Sequence, residues 1–383
     1  MKKRNVVLVL ALLLITNGFT LFFAWGGNGQ ALKELALETY IEKNYLREVD
    51  KGAFNQGKLK GIVAALEDPY SAYFTPEEYQ ALLETTRGKF YGIGVQIAPG
   101  EDNLITVVAP IKGSPADQAG IQSGDKIIKV EDQEVTAEKM DQAVDMMRGE
   151  KGTQVQVTLL KKRGDKVHME EVSLLRDEIK TESVISGSLE GDIGYIGLTS
   201  FEEDSSEDFK AALEVHEKNG VKGLVVDLRG NPGGILEEAV AIADLFLEEG
   251  NIVYATDKSG KKVFDFYAEE GATDLPLVLL VNQGSASASE ILAGALKDHG
   301  RGVLIGEKTF GKGVVQTVTP FLGGGGLKLT TSEYFTPAGV NIHGKGIEPD
   351  QVISLPEDVE GIGLDYLDQD LQLQGALAYL KKK

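Results

Sequence analysis

From Gly191 to the C-terminus, apolar runs alternate with segments of helical period, and this alternation restricts the fold more than any other feature. GYIGLTSF (194–201), GLVVDLRG (223–230) and LPLVLLVN (275–282) have the length and composition of buried strands. Helical patterns lie between them, near Glu207–Lys218, at Ile235–Leu247 and from about Ser287 to Lys297. Strands and helices in that order build a layered α/β core, in which chemistry gathers where strands end at helix N-termini. GVLIGE, GVVQTVTPF and LKLTTSEYF then extend a sheet, and a helical segment from about Leu364 to Leu380 follows.

The N-terminal region has a different pattern. Lys2-Lys3-Arg4 precede 21 uncharged residues, Asn5–Trp25, enough to span a bilayer. Residues 1–26 are therefore expected to be a membrane anchor or a signal peptide, the basic flank remaining cytoplasmic and the rest lying outside. The expected location is the cell membrane, single-pass with the catalytic part extracytoplasmic, or secreted if the segment is cleaved. Residues 27–84 have helical spacing in ALKELALETYIEKNYL and KLKGIVAALEDPYSAYF. This region is either a lead-in to the core or a contact surface, and a homo-oligomer, most simply a dimer, is the expectation it carries.

Residues 85–177 form a third segment, with short strands punctuated by turns at GED, KGS and SGD, a helix around Lys139–Arg148, and strict alternation in TQVQVTLLKK. Tyr91-Gly92-Ile93-Gly94-Val95 followed by SPADQAGIQSGDKIIKV resembles a PDZ domain. In such a loop, glycines let successive N–H groups converge on a carboxylate while an exposed strand edge pairs with the peptide behind it. The charged edge at Arg148 and Glu150 is a candidate contact through which this domain would gate the core.

Composition removes several chemistries. With 39 basic against 59 acidic residues the net charge is −20, which argues against a nucleic-acid partner. There is no cysteine, so no disulfide framework or thiol nucleophile is available, and the four histidines have no ligand-like spacing. Neither a metal nor a cofactor is expected.

SASASE places serines at 285, 287 and 289 where an apolar run gives way to a helix. Ser287-x-x-Glu290 fits a capping box, which alone explains one serine. Capping does not ask for the alanines between them; small residues at this turn leave room for another molecule's backbone. A serine nucleophile also needs a base. His299 would lie about 18 Å from Ser287 along the intervening helix, which rules out a local pair. Lys312, between glycines and followed by Val314-Val315 within GEKTFGKGVVQ, sits in an apolar setting that would lower an amine's pKa. Lys308 beside Glu307 has the character of a surface charge.

SASASEILAGALKDHGRGVLIGEKTFGKGVVQ resembles the signature of the C-terminal processing peptidases, also called tail-specific proteases. The resemblance covers the chain from about Ala31 onward. It implies a Clp protease/crotonase-like core over 178–383 carrying an inserted β-rich PDZ domain, and a Ser/Lys dyad with Ser287 as nucleophile, Lys312 as general base and Gln316 orienting the lysine. It also implies an oxyanion hole from Ala288 and from Gly233 or Gly234 of LRGNPGG, and a PDZ loop at Tyr91, Gly92, Ile93, Gly94 and Val95 that holds apolar C-terminal tails of protein substrates. Two other readings stand beside it: a non-catalytic PDZ scaffold, and an acyl-CoA enzyme on a related core.

Overall fold

The computed structural model describes residues 29–383 except 101, 164, 165, 357 and 358. The apolar run 5–25, and with it the anchor or signal segment 1–26, lies outside the described residues. Among those described, no helix is long and apolar enough to cross a membrane. The chain divides into a unit ending at Thr75 and a second from Pro76 to Lys383.

The first unit contains helices α1 (Gln30–Asn44) and α2 (Lys51–Ala64) and the short strand β1 (Ala72–Phe74). Asp50 caps α2, its carboxylate accepting from Gly52 N–H at 2.8 Å. Lys58 of α2 reaches Glu38 and Glu34 of α1 at 2.6 and 3.5 Å. Neither helix buries a residue, and Leu32, Leu35, Leu37 and Tyr40 are exposed. Within 29–84 helices occupy Gln30–Asn44, Lys51–Ala64 and Pro76–Arg87, and the two units divide after Thr75. Pro76 starts a new helix that belongs to the second unit.

That helix, α3 (Pro76–Arg87), leads into the PDZ segment: β2 (Lys89–Gly92), β3 (Val95–Pro99), β4 (Ile105–Pro110), α4 (Pro115–Gln118), β5 (Lys126–Val130), β6 (Gln133–Glu134), α5 (Met140–Met147), β7 (Gln154–Arg163), β8 (Lys166–Leu175) and β9 (Asp177–Lys180). The sheet order is β3-β4-β5-β7-β8, with β6 on β5, so β3 is an edge strand. The alternation in TQVQVTLL is structural: Val155, Val157 and Leu159 are buried with Ala143 and Met147 of α5, while Gln154 and Gln156 face water. β2 and β9 pair antiparallel as the neck of this domain. At its base Lys89 and Lys180 pair with Asp204 and Asp208 of the core, both at 2.7 Å.

The core comprises β10 (Val184–Leu189), β11 (Ile193–Leu198), α6 (Ser205–Lys218), β12 (Gly223–Asp227), α7 (Leu236–Asp244), β13 (Gly250–Asp257), β14 (Lys262–Ala268), β15 (Leu277–Val281), α8 (Ala288–Asp298), β16 (Val303–Gly306), β17 (Val314–Pro320), β18 (Gly326–Phe335), β19 (Gln351–Val352) and α9 (Leu371–Leu380). One sheet runs β10-β11-β12-β15-β16-β19, parallel apart from β10. Its central strands are apolar throughout because both faces are covered. Leu224, Val226, Leu277 and Leu279 pack with Phe209, Ile242 and Leu292 of α6–α8, and Val225, Val278 and Leu280 with Leu373, Ala376 and Leu377 of α9. In an antiparallel second sheet β18 pairs with β17 and with β13, and β13 with β14.

Candidate active site

β12 and β15 are parallel neighbours, paired from Leu224–Leu277 to Asp227–Leu280. Their carboxyl ends therefore deliver two loops side by side, 228–235 and 282–287, where α/β cores collect ligands. The loops open into a cleft of about 1100 Å³ lined by Ser287, Lys312, Gln316, Gly233, Gly234 and Ala288, with Leu82, Thr85 and Thr86 of α3 on one wall.

The three serines separate by what they touch. Ser285 is buried, donating to Leu228 O at 2.8 Å and accepting from Asn282 N–H at 3.0 Å. Ser289 is buried and donates to Asn231 O at 2.9 Å. Only Ser287 of the three lines the cleft. It adopts φ 55° and ψ −113°, a conformation that costs a side-chain-bearing residue about 1–3 kcal/mol. The capping box read from Ser287-x-x-Glu290 is present, with Glu290 accepting the Ser287 N–H at 3.0 Å.

Glu290 does more than the box requires. Fully buried, it accepts from Thr309 Oγ1 (2.5 Å) and Gly311 N–H (2.7 Å) on Oε1, and from Lys312 N–H (2.8 Å) and Ser287 N–H on Oε2. One carboxylate thus fixes the backbones of Ser287 and Lys312. Tyr334 donates to Ser287 O at 3.1 Å; burial, then the charge of Glu290, pushes its phenol well above the usual range. Gln316 is half-buried on β17, its Nε2 donating to Thr330 Oγ1 at 3.2 Å. Lys308 is the expected surface charge, paired with Glu348 at 2.8 Å. His299 hydrogen-bonds the carbonyl of Asn251 at 2.8 Å.

The two glycines differ in what their N–H groups meet. Gly233 N–H donates to Asn231 Oδ1 at 2.8 Å, so it is withdrawn as a donor to a ligand. Gly234 N–H has no partner among the described residues, although its neighbours bridge Phe201 through Phe201 N–H to Gly233 O and Ile235 N–H to Phe201 O. Both glycines have positive φ, 101° and 148°, and a Cβ would stand 2.7 Å from Ala286 O at Gly233 and 2.1 Å from Phe201 O at Gly234. Ala288 opens α8 and its N–H is among the donors a helix leaves unpaired.

Under this loop lies a network that sequence reading misses. Arg229, buried, donates to Asp227, Asp370 and Gln372, and Tyr195 donates its hydroxyl to Asp227 at 2.9 Å.

In the PDZ segment, Gly92 ends β2, and Ile93 and Gly94 form the loop to β3; all three are buried. Ile93 O accepts from Ala116 N–H, and Gly94 O from Ile111 N–H and Ser114 Oγ, each at 2.9 Å. The loop carbonyls therefore point into the domain, and the N–H groups of Ile93 and Gly94 have no partner among the described residues. Val95 begins the edge strand; Tyr91 lies on the β2–β9 ribbon. Arg148 pairs with Glu84 of α3 at 3.7 Å and covers Phe90 at 5.3 Å.

Comparison with known proteins accords with this geometry. Peptidase family S41 matches residues 192–353 and the PDZ domain residues 106–161. The carboxy-terminal processing protease CtpA of Bacillus subtilis (strain 168) is 37% identical over 377 residues, covering 95% of this chain and 79% of the relative. A carboxy-terminal-processing protease of Bartonella bacilliformis is 38% identical, covering 87% and 77%. The solved photosystem II D1 C-terminal processing protease aligns at TM-score 0.50 with 33% identity, over 87% of this chain and 90% of that one. Fold and relatives together define a serine-type peptidase. More narrowly, the chain belongs to peptidase family S41, among the carboxy-terminal processing proteases.

Proposed function

We propose that this peptidase takes protein substrates by their C-terminal tails and cuts them with Ser287 as nucleophile and Lys312 as general base. The observation that carries the assignment is the shared anchor: Ser287 and Lys312 line one cleft and hang by their N–H groups from the same oxygen of Glu290.

Acting as general base, the Lys312 amine takes the hydroxyl proton as Ser287 Oγ attacks the scissile carbonyl. The N–H groups of Gly234 and Ala288 receive the negative charge that forms on the carbonyl oxygen. Collapse breaks the C–N bond, the protonated lysine gives its proton to the leaving amine, and an acyl-enzyme remains. Water, deprotonated by the same lysine, then releases the acid. Gln316, which lines the same cleft, is assigned to orient Lys312. The PDZ loop N–H groups of Ile93 and Gly94 would take the tail carboxylate and the free edge of β3 the residues before it, with apolar tails preferred.

Residues 5–25 suit a membrane anchor that places the catalytic part outside the cytoplasm, and the exposed Leu32, Leu35 and Tyr40 of α1 suit a second copy in a dimer. Mass spectrometry of a reporter protein ending in an apolar tail, beside one ending in a charged tail, tests the core reading. Cleavage of the first alone, absent in Ser287→Ala, is expected; binding without cleavage by the unaltered chain would leave a scaffold.

A further inference from the structure

We infer that Asp370, at the start of α9, is a positioning residue for the oxyanion loop and acts through Arg229; the inference rests on the peptidase reading of the cleft. Arg229 heads the loop Arg229–Gly234, and all five of its guanidinium N–H donors are used. Nε donates to Asp227 Oδ1 at 2.9 Å and Nη2 to Asp227 Oδ2 at 2.6 Å. Nη1 donates to Asp370 Oδ1 at 2.8 Å and Gln372 Oε1 at 2.9 Å, and Nη2 to Asp370 Oδ2 at 2.7 Å. Paired forks of this kind fix the orientation of a guanidinium as well as its place.

Asp370 is itself immobilised. It accepts from Gly363 N–H at 2.8 Å and, as N-cap of α9, from Leu373 N–H at 3.0 Å. Burial pushes its carboxyl up, but the hydrogen bonds and charge of Arg229 outweigh that and hold it below the usual range. Merely attaching α9 to the sheet would not require such a pair. Leu373, Ala376, Leu377 and Leu380 already bury an apolar face there, and burying two carboxylates around one cation is an expensive way to add stability.

What the pair adds is position, because the loop beyond Arg229 has little slack. Gly230 N–H donates to Asn282 Oδ1 at 2.9 Å. Asn231 is held at its carbonyl by Ser289 Oγ and Ala286 N–H, and at its side chain by Leu198 O and Gly233 N–H. A shift of the Arg229 head is therefore passed along a braced turn to Gly234, whose N–H faces the developing charge in the proposed mechanism. A displacement of that donor weakens transition-state stabilisation while leaving the binding of uncleaved substrate alone.

Asp370→Asn separates this role from helix capping, since asparagine caps as well as aspartate but turns an amide donor toward Arg229. Expected are a kcat at least tenfold lower, KM within twofold, and affinity for a peptide aldehyde of the substrate sequence, which forms a tetrahedral adduct, reduced by the same factor as kcat. Affinity of Ser287→Ala for the tail peptide should be unchanged by adding Asp370→Asn. Gln372→Met, which removes one acceptor of Arg229 and the donor to Ile353 O but leaves the Asp370 cap intact, should give the same pattern at two- to fivefold, and decides the matter should Asp370→Asn not fold. Unaltered kcat in the folded variant, or a raised KM with kcat kept, overturns the inference alone. An unaltered chain that cleaves nothing overturns the peptidase reading and the inference with it.

Discussion

Lys312 N–H donates to the oxygen of Glu290 that also accepts Ser287 N–H, at 2.8 and 3.0 Å. The proposed base and nucleophile, 25 residues apart in sequence (312 − 287), therefore share one support.

Replacing that support should damage both. Glu290→Gln keeps one acceptor oxygen and turns an NH₂ toward two of the four donors, so about 2–4 kcal/mol of stability should be lost, given the cost of stranding buried donors. Turnover should fall at least about tenfold in the variant that remains folded, by the sensitivity of such sites to misplacement. Urea unfolding and steady-state kinetics on the same samples measure the two effects.

Ser287→Ala and Lys312→Ala should each lower kcat by at least about 10³-fold, the scale on which catalytic units fail, while peptide affinity persists. His299→Ala should retain turnover, because that ring is engaged with Asn251 O. A His299 variant without activity beside an active Lys312→Ala would reverse the base assignment.

Strain at Ser287 predicts an unusual order of stabilities. Ser287→Gly relieves the backbone at φ 55° whereas Ser287→Ala does not, so the glycine variant should be more stable by about 1 kcal/mol. Both should be inactive. Thermal melts of the two variants provide the comparison.

His216 is buried, and burial lowers its pKa from the ordinary value. The unfolded chain, with a histidine near pH 6.5, then binds the proton first, so stability is complete above about 6.5 and falls as pH drops toward the folded value. Unfolding free energies at pH 7.5 and 5.5 should differ less in His216→Gln than in the unaltered chain. An unchanged difference would mean that other groups set it.

The layered α/β core was legible because strands covered on both faces must be apolar at every position, as Leu277–Val281 are. Likewise, alternation around Val155–Leu159 announced a half-buried sheet. Ser287 could be singled out, but only the structure shows why its neighbours are excluded: Ser285 and Ser289 are tied to backbone carbonyls. Glu290 was visible as a capping residue; its bonds to Thr309, Gly311 and Lys312 depend on a loop folding back, which local spacing does not encode. That the Gly233 N–H is engaged by the side chain of Asn231 is a contact LRGNPGG does not announce. The division after Thr75 has no mark in the sequence, because α3 has the same helical period as the segment before it. Nothing in LRGNPGG points to Asp370, which closes its contact across 141 residues.

That separation also sets an order of events during synthesis. Arg229 leaves the ribosome 141 residues ahead of Asp370, an interval of roughly 7–30 s at ordinary elongation rates. Until α9 arrives, the Arg229 guanidinium has only Asp227 of its three acceptor side chains to grip, so the turn that follows it is held from one side alone.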